Sequence, residues 1–274
     1  MSAPVRFDGR TAVITGAASG IGRALAEALA ARDCHLVLAD INEAGVRAVA
    51  DTLARPGLTV SAHRLDVADA EAIKAFAAEV RATHGPVHLL FNNAGVALGG
   101  TFEQADEADW EWLIDINFYG VVRMTRAFLP LLREAGDGWI VNISSIFGII
   151  APAGQTAYSA SKFGVRGFSD ALRHELAGSP VGVTTVHPGG VATQIADSAR
   201  IPAGASEKEI AARREQAKRL LTMPPPQAAE IILKAVKKRK PRVLVGRDAK
   251  MAALFERLSP GGYWSLINRR AERM

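Results

Sequence analysis

Tyr158 and Lys162 stand four residues apart in the segment YSASK. On a helix that spacing puts both side chains on one face, about 6 Å apart along the axis. A free tyrosine, with a pKa near ~10, is a poor base at neutral pH, and a fixed ammonium beside it favours the phenolate. Such a tyrosine can take the proton of an alcohol and return it to a carbonyl. A second segment, TGAASGIG, places Gly16, Gly20 and Gly22 just after a short apolar run. These glycines allow a tight turn, bare the backbone where a pyrophosphate approaches, and let the next helix pack closely. Asp40 follows Gly22 by 18 residues. A carboxylate there accepts hydrogen bonds from both hydroxyls of an adenosine ribose and repels a 2′-phosphate. No basic side chain opposes it, because Ser19 precedes Gly20 and Ile41 follows Asp40. These residues point to NAD, with NADP the weaker fit. The alternative for Asp40, capping the second helix, does not exclude that role.

Short apolar runs alternate with longer helical ones, the pattern of βαβ units around a parallel sheet. Strands are expected at Thr11 to Thr15, His35 to Asp40, Val60 to Leu65, Val87 to Asn92, Trp139 to Ile143, Val181 to His187 and Arg242 to Val245. Helices are expected at Ile21 to Arg32, Asn42 to Leu53, Ala68 to His84, Trp110 to Ala135, Tyr158 to Ala177 and Gln227 to Lys238. Right-handed crossovers then give an α/β Rossmann fold, a doubly wound seven-stranded parallel sheet with helices on both faces. No repeat or Pro/Gly/Ser-rich linker divides the chain, so residues 1–274 are read as a single domain. About 35 residues, with a helical piece near Glu207 to Leu221 and a stop at Pro224 to Pro226, separate the sixth strand from the next helix. An insertion this long at the carboxyl end of a strand reads as a substrate loop, about 189–226.

The composition is that of a globular enzyme: 274 residues, 49% hydrophobic, 22% charged and 6% aromatic. That length buries a sizeable core and excludes disorder or a disulfide-stapled miniprotein. No run of 18 apolar residues occurs and the start lacks a secretory pattern, so a soluble cytoplasmic protein without an integral membrane segment is expected. The one cysteine, Cys34, reads as a small buried hydrophobe, and no cysteine zinc site can form. His84 and His88 are separated by Gly85-Pro86 and do not share a helical face, so no metal is expected. Of Trp110 and Trp112, two apart, one should pack and the other be partly exposed. Residues 1–206 carry 16 Lys+Arg against 21 Asp+Glu, and residues 207–274 carry 17 against 7. The basic run Lys237, Lys238, Arg239, Lys240 and Arg242 could meet phosphates, but it ends an amphipathic stretch and reads first as a solvated helix terminus.

The glycine spacing is GxxxGxG, and here the chain resembles the short-chain dehydrogenase/reductases. TGAASGIG is similar to their TGxxxGIG, NNAG at Asn92 to Gly95 to their second signature, and YSASK to their YxxxK. Asn117, Ser145 and Pro188-Gly189 with Thr193 fall at compatible spacings, and the resemblance covers about residues 7 to 195. It implies a NAD(P)-dependent oxidoreductase moving hydride between a nicotinamide and a secondary alcohol or ketone. The implied catalytic set is Asn117, Ser145, Tyr158 and Lys162. Ser145 would hold the substrate oxygen, preferred over Ser144 because its spacing to Tyr158 matches the family. Lys162 would also bind the nicotinamide ribose, the positive nicotinamide ring would join its ammonium in favouring the Tyr158 phenolate, and Asn117 would support a water that passes protons onward. Implied cofactor contacts are Gly16, Ser19, Gly20, Ile21, Gly22, Asp40, Ile41, Asp66, Val67, Asn93, Ala94, Gly95, Tyr158, Lys162, Pro188, Gly189, Val191 and Thr193. Thr193 would bond the carboxamide, and Asp66 with Val67 would meet the adenine. His187 replaces an asparagine common before the PG pair, which puts a local contact in doubt.

Around this site lie Val96, Leu98, Ile146, Phe147, Ile149 and Ile150, and the mobile stretch adds Ile195, Ile201, Leu220, Leu221 and Met223. They suggest a hydrophobic alcohol or ketone of steroid, terpenoid or lipid type. The tail, 249–274, carries Leu254, Phe255, Leu258, Tyr263, Trp264, Leu266 and Ile267 beside Arg257, Arg269 and Arg270. It could cover a neighbour's active site, pack at a subunit interface or lie on a membrane. The family resemblance implies a homodimer or homotetramer built on the helices Trp110 to Ala135 and Tyr158 to Ala177. Two other classes compete: a non-catalytic NAD-binding regulator, and nucleic-acid binding through the basic region. An intact Ser145, Tyr158 and Lys162 disfavours both, since a pure binder needs no base, and no nucleic-acid partner is expected.

Overall fold

A computed structural model describes residues 3–265. Seven strands form one sheet in the order β3-β2-β1-β4-β5-β6-β7, and every pairing is parallel. They are β1 (Thr11–Thr15), β2 (His35–Asp40), β3 (Val60–Arg64), β4 (Leu89–Asn92), β5 (Gly138–Ile143), β6 (Val181–Pro188) and β7 (Arg242–Val245). The helices are α1 (Gly20–Ala30), α2 (Glu43–Leu53), α3 (Ala70–His84), α4 (Glu107–Ile114), α5 (Gly120–Glu134), α6 (Thr156–Glu175), α7 (Glu207–Leu220), α8 (Pro225–Lys237) and α9 (Arg247–Leu258). The central strands β1 and β5 are buried along their whole length, because helices cover both faces and leave no side for polar residues. Alternation sorts β1 between two cores. Ala12 and Ile14 face α1 and α8 through Leu25, Leu29, Ile232 and Val236, and Val13 faces α3 and α5 through Ile73, Phe76, Met124 and Phe128.

Local signals explain most boundaries. Asp69 caps α3 by accepting from Glu71 and Ala72 amides at 2.9 and 3.0 Å, and Gly85, at φ +70°, ends it. The cap of α2 is Asn42, which accepts from Gly45 N–H at 3.0 Å, so Asp40 does not spend itself there. The basic run does end α8, and the Arg239 guanidinium lies 5.0 Å from the Trp139 ring and pairs with Asp137.

Three expectations change. The helix expected from Trp110 to Ala135 is divided into α4 and α5 by a π-helical turn, Asp115–Tyr119. There Gly120 approaches Val67 so closely that a Cβ would lie 2.9 Å from its Cγ2. The prolines at 224–226 do not stop a helix but start one: Pro224 is the N-cap and Pro225 opens α8, where a missing N–H costs nothing. The tail forms α9, whose Ala252, together with Tyr263, packs on Ile149 and Ile150 of its own chain; Leu266, Ile267, Arg269 and Arg270 lie outside the described residues. Among the described residues no helix is long and apolar enough to cross a membrane.

Candidate active site

The carboxyl ends of β1, β2, β4, β5 and β6 converge on one cleft, as the direction of a parallel sheet requires. At the end of β1, Gly16 and Gly20 have φ of +66° and +54°, a backbone that side chains resist. A Cβ at Gly22 would stand 2.0 Å from Gly16 carbonyl oxygen, and one at Gly20 would stand 2.9 Å from Thr193 Cγ2. The loop is thus pressed between the start of α1 and the segment after β6. Asn93 buttresses it: its Nδ2 donates to the Thr15 and Gly16 carbonyls at 3.0 and 3.1 Å. Thr15 Oγ1 accepts from the Asn93 and Ala94 amides, each at 3.0 Å. Asn93 therefore acts through the glycine loop.

Asp40 holds its carboxylate at the rim of this cleft, Oδ2 accepting from Ala18 N–H and Oδ1 from Asn42 N–H, both at 2.9 Å. A cavity of about 770 Å³ opens between Ser19, Gly20 and Asp40 on one wall and Thr193 and Leu221 on the other. Ile41 is 59% exposed beside it. Asp66 Oδ1 accepts from Ala68 N–H at 2.9 Å, and Val67 is buried against Gly120. Ile21 packs at the core's edge. Pro188 closes β6, and Val191 is buried, bridged to Met223. Arg23, Gln194 and Asp197 also line the cavity. Arg23, one turn into α1 and ion-paired to Glu27 at 2.8 Å, was not singled out from the sequence because nothing in its spacing separates it from a surface helix residue.

Beyond the end of β5 the two adjacent serines part company. Ser144 Oγ donates to the Lys162 carbonyl at 2.8 Å and is buried. Ser145 caps a single 3₁₀ turn, Ile146–Gly148, its Oγ accepting from Phe147 N–H at 3.1 Å, and its side chain is near enough to Tyr158 to favour the phenolate. Geometry thus brings Ser145, not Ser144, to the tyrosine. Lys162 Nζ, 3% exposed, lies 5.6 Å from the Tyr158 ring centroid and donates to the Ile143 carbonyl at 3.2 Å. Asn117, in the π turn, holds Val96 with both ends of its amide, Oδ1 accepting at 2.8 Å and Nδ2 donating at 2.9 Å. Gly95 fits between them, since a Cβ there would be 3.1 Å from Asn117 Oδ1 and 3.4 Å from Lys162 Nζ.

Burial governs the electrostatics of the protein's own groups here. It pushes the Tyr158 hydroxyl up to about 12, only partly offset by Ser145 beside it, and pulls Lys162 down to about 8. Each shift comes first from desolvation, which disfavours the charged form. His187 resolves the contact left in doubt. It is fully buried, burial pulls it down to about 4, and its Nδ1 lies 2.9 Å from the Ser145 carbonyl. A carbonyl only accepts, so Nδ1 carries the proton.

Of the expected apolar lining, Phe147 stands edge-on to Tyr158 with centroids 6.1 Å apart, and Val96 packs near it. Leu98, Ile149 and Ile150 are core, Met223 packs against the core, and Ile201 and Leu220 are exposed. Trp110 meets Phe102, whereas Trp112 is covered by the Arg200 guanidinium at 3.8 Å. His84 and His88 are used by Ser61 and by the Thr11 amide, and no group of three metal-binding side chains occurs among the described residues.

A family model described as short chain dehydrogenase matches residues 10–203. The chain belongs to the short-chain dehydrogenase family. It is an oxidoreductase of that family, and its sheet and helices superpose on a short chain dehydrogenase/reductase from Burkholderia phymatum in complex with NAD. That superposition has a TM-score of 0.87 at 34% identity over 93% of this chain and 95% of the other. Two other solved members, at 26% and 30% identity, hold 5-hydroxy-NADP and NADP. Among named relatives of this short-chain dehydrogenase, the oxidoreductase SadH of Mycobacterium tuberculosis is 44% identical over 263 residues, 95% of each chain. The D-threitol dehydrogenase of Mycolicibacterium smegmatis is 40% identical over 197 residues, 71% of this chain and 75% of that one.

Proposed function

We propose that this enzyme interconverts a secondary alcohol and its ketone with NAD as preferred cofactor. The observation that carries the reading is Tyr158 set between Ser145 and buried Lys162, with Gly95 linking Lys162 to the strand end that backs the glycine loop. The cleft suits a dinucleotide: Gly16, Gly20 and Gly22 leave no room for a Cβ, and Asp40 faces a cavity large enough for the adenosine end. Gly16, Ser19, Gly20, Ile21 and Gly22 would hold the pyrophosphate, Asp40 and Ile41 the adenosine ribose, and Asp66 and Val67 the adenine. Ala94, Gly95, Lys162, Pro188, Gly189, Val191 and Thr193 would hold the nicotinamide end. Bound there, the nicotinamide supplies the hydride acceptor for oxidation and the donor for reduction. Ser145 orients the substrate oxygen by a hydrogen bond. Tyr158 takes the alcohol proton in one direction and gives it back in the other. The ammonium of Lys162 does not by itself ionise Tyr158, so the phenolate also needs a positive charge brought by the cofactor.

Asp40 supports NAD, because a carboxylate already accepting two amides repels a 2′-phosphate, and Arg23, a cation lining the same cavity, is held by Glu27. Phe147 and Val96 beside Tyr158 support a hydrophobic alcohol or ketone. The D-threitol dehydrogenase relative supports a second reading, a small polyol. Residues 189–226 act as the substrate loop of a single catalytic domain, and the enzyme works as a homo-oligomer. The test is absorbance of NADH or NADPH formation over a panel of lipophilic alcohols and polyols, with wild type and Tyr158→Phe. NAD-linked turnover lost in the variant is expected. A preference for NADP overturns the Asp40 argument, and polyols turned over far faster than lipophilic alcohols overturn the hydrophobic one.

A further inference from the structure

Asp248 lies in the first turn of α9, beyond the 10–203 span of the family match. Its Oδ2 accepts from Gly190 N–H at 2.6 Å. Two glycines make room for this carboxylate. A Cβ at Gly189 would lie 2.1 Å from Oδ2, and one at Gly246 would lie 2.2 Å from Oδ1. An acid in the first turn of a helix gains from the dipole wherever it points, but the dipole does not explain two glycines bared against it. Gly190 is gripped from the other side as well, its carbonyl accepting from Thr222 and Met223 at 3.1 and 3.0 Å. From there a tight backbone runs to the cleft: Val191 N–H donates to Gly189 and Thr193 N–H to Val191, at 3.0 and 2.9 Å. Thr193 then lies on Gly20, where a Cβ would be 2.9 Å from its Cγ2. The chain of contact is Asp248, Gly190, Thr193, Gly20.

We propose that Asp248 is a positioning residue that holds the 189–193 turn down on the glycine loop, so that the C-terminal helix sets how tightly the nicotinamide dinucleotide is bound. The proposal rests on the cofactor reading above, and it gives a reason within the chain why Gly189 carries no side chain: its Cβ would occupy the place of the Asp248 carboxylate. Two measurements on the full chain test it, NADH titration by fluorescence and amide hydrogen exchange of residues 189–193 without cofactor. They compare wild type with Asp248→Ala, Asp248→Asn and Arg247→Ala, the last altering the neighbouring side chain. Losing a hydrogen bond to a charged acceptor should weaken NADH binding about tenfold in Asp248→Ala. Exchange at Gly190 should quicken in the same variant, Asp248→Asn should fall between it and wild type, and Arg247→Ala should match wild type. If Asp248→Ala misfolds, Asp248→Asn, which keeps one carbonyl acceptor, carries the comparison. Wild-type NADH affinity in a folded Asp248 variant overturns the proposal, as does equal weakening by Arg247→Ala. A wild type that binds no NADH overturns the cofactor reading itself and the proposal with it, and Gly190 exchange then reports separately whether Asp248 holds the turn.

Discussion

Lys162 carries an ammonium into a place that does not suit one. It is 3% exposed and donates to the Ile143 carbonyl at 3.2 Å, and burial pulls it down to about 8. The unfolded chain binds this proton more tightly than the folded one, so folding is penalised below pH ~8 and the penalty fades as pH rises towards the unfolded value near ~10.4. Lys162→Met should therefore melt higher than wild type at pH 7 while losing turnover, and the gain should shrink between pH ~8 and ~10.4; melting curves across that range check it. Tyr158 runs the other way: held up at about 12, it lends stability that is lost as pH climbs from ~10 through the folded value. YxxxK was legible because the helix period aligns two groups. Which serine meets the tyrosine was assigned by spacing alone, and the structure supplies the reason: the other hydroxyl is spent on the Lys162 carbonyl.

At the scale of elements, the segment after β6 is closed at two places. Its neck is zipped where Val191 bridges Met223. Farther out Arg200 bridges Leu98, exchanges backbone bonds with Ala97 and Gly99 at 3.0 and 3.1 Å, stacks on Trp112 and pairs with Asp109 at 3.0 Å. The stacking and the half-exposed pair together are worth about 1 kcal/mol. Arg200→Ala should loosen this cover, raising KM roughly fivefold with kcat little changed and quickening protease cleavage within 189–226. Arg200→Lys, which keeps the charge but not the planar stack, should recover only part. The length of the insertion was visible in the sequence. The latch was not, because Arg200 stands about 90 residues along the chain from Asp109 and Trp112. Nor was the π turn at Asn117, since the apolar spacing of a helix hardly registers one extra residue.

For the whole molecule, the homo-oligomer proposed above can be tested on α6. Gly167 sits inside the helix, exposed, with nothing within 4 Å of where its Cβ would be. A glycine there costs about 1 kcal/mol relative to alanine, and no close approach among the described residues calls for it. Phe163, one turn earlier on the same face, is 38% exposed. A second copy approaching along α6 would use both. Light scattering at micromolar protein should give a multiple of the chain mass, and Phe163→Asp should shift it to the monomer; a monomeric wild type defeats the expectation.

By itself the sequence determined the alternation of strand and helix, the glycine loop with Asp40, and the spacing of Tyr158 and Lys162. Each is a local or periodic property, written in residues that are neighbours along the chain or along one helix. The tertiary structure decided what depends on distant segments meeting. It made Ile149 and Ile150 core under Tyr263 instead of pocket wall. It paired His187 with Ser145, set Asp248 against Gly190, and buried Tyr158 and Lys162 so that desolvation shifts both. Desolvation and contact across the sheet are sums over everything that surrounds a group, and no spacing along a chain contains them.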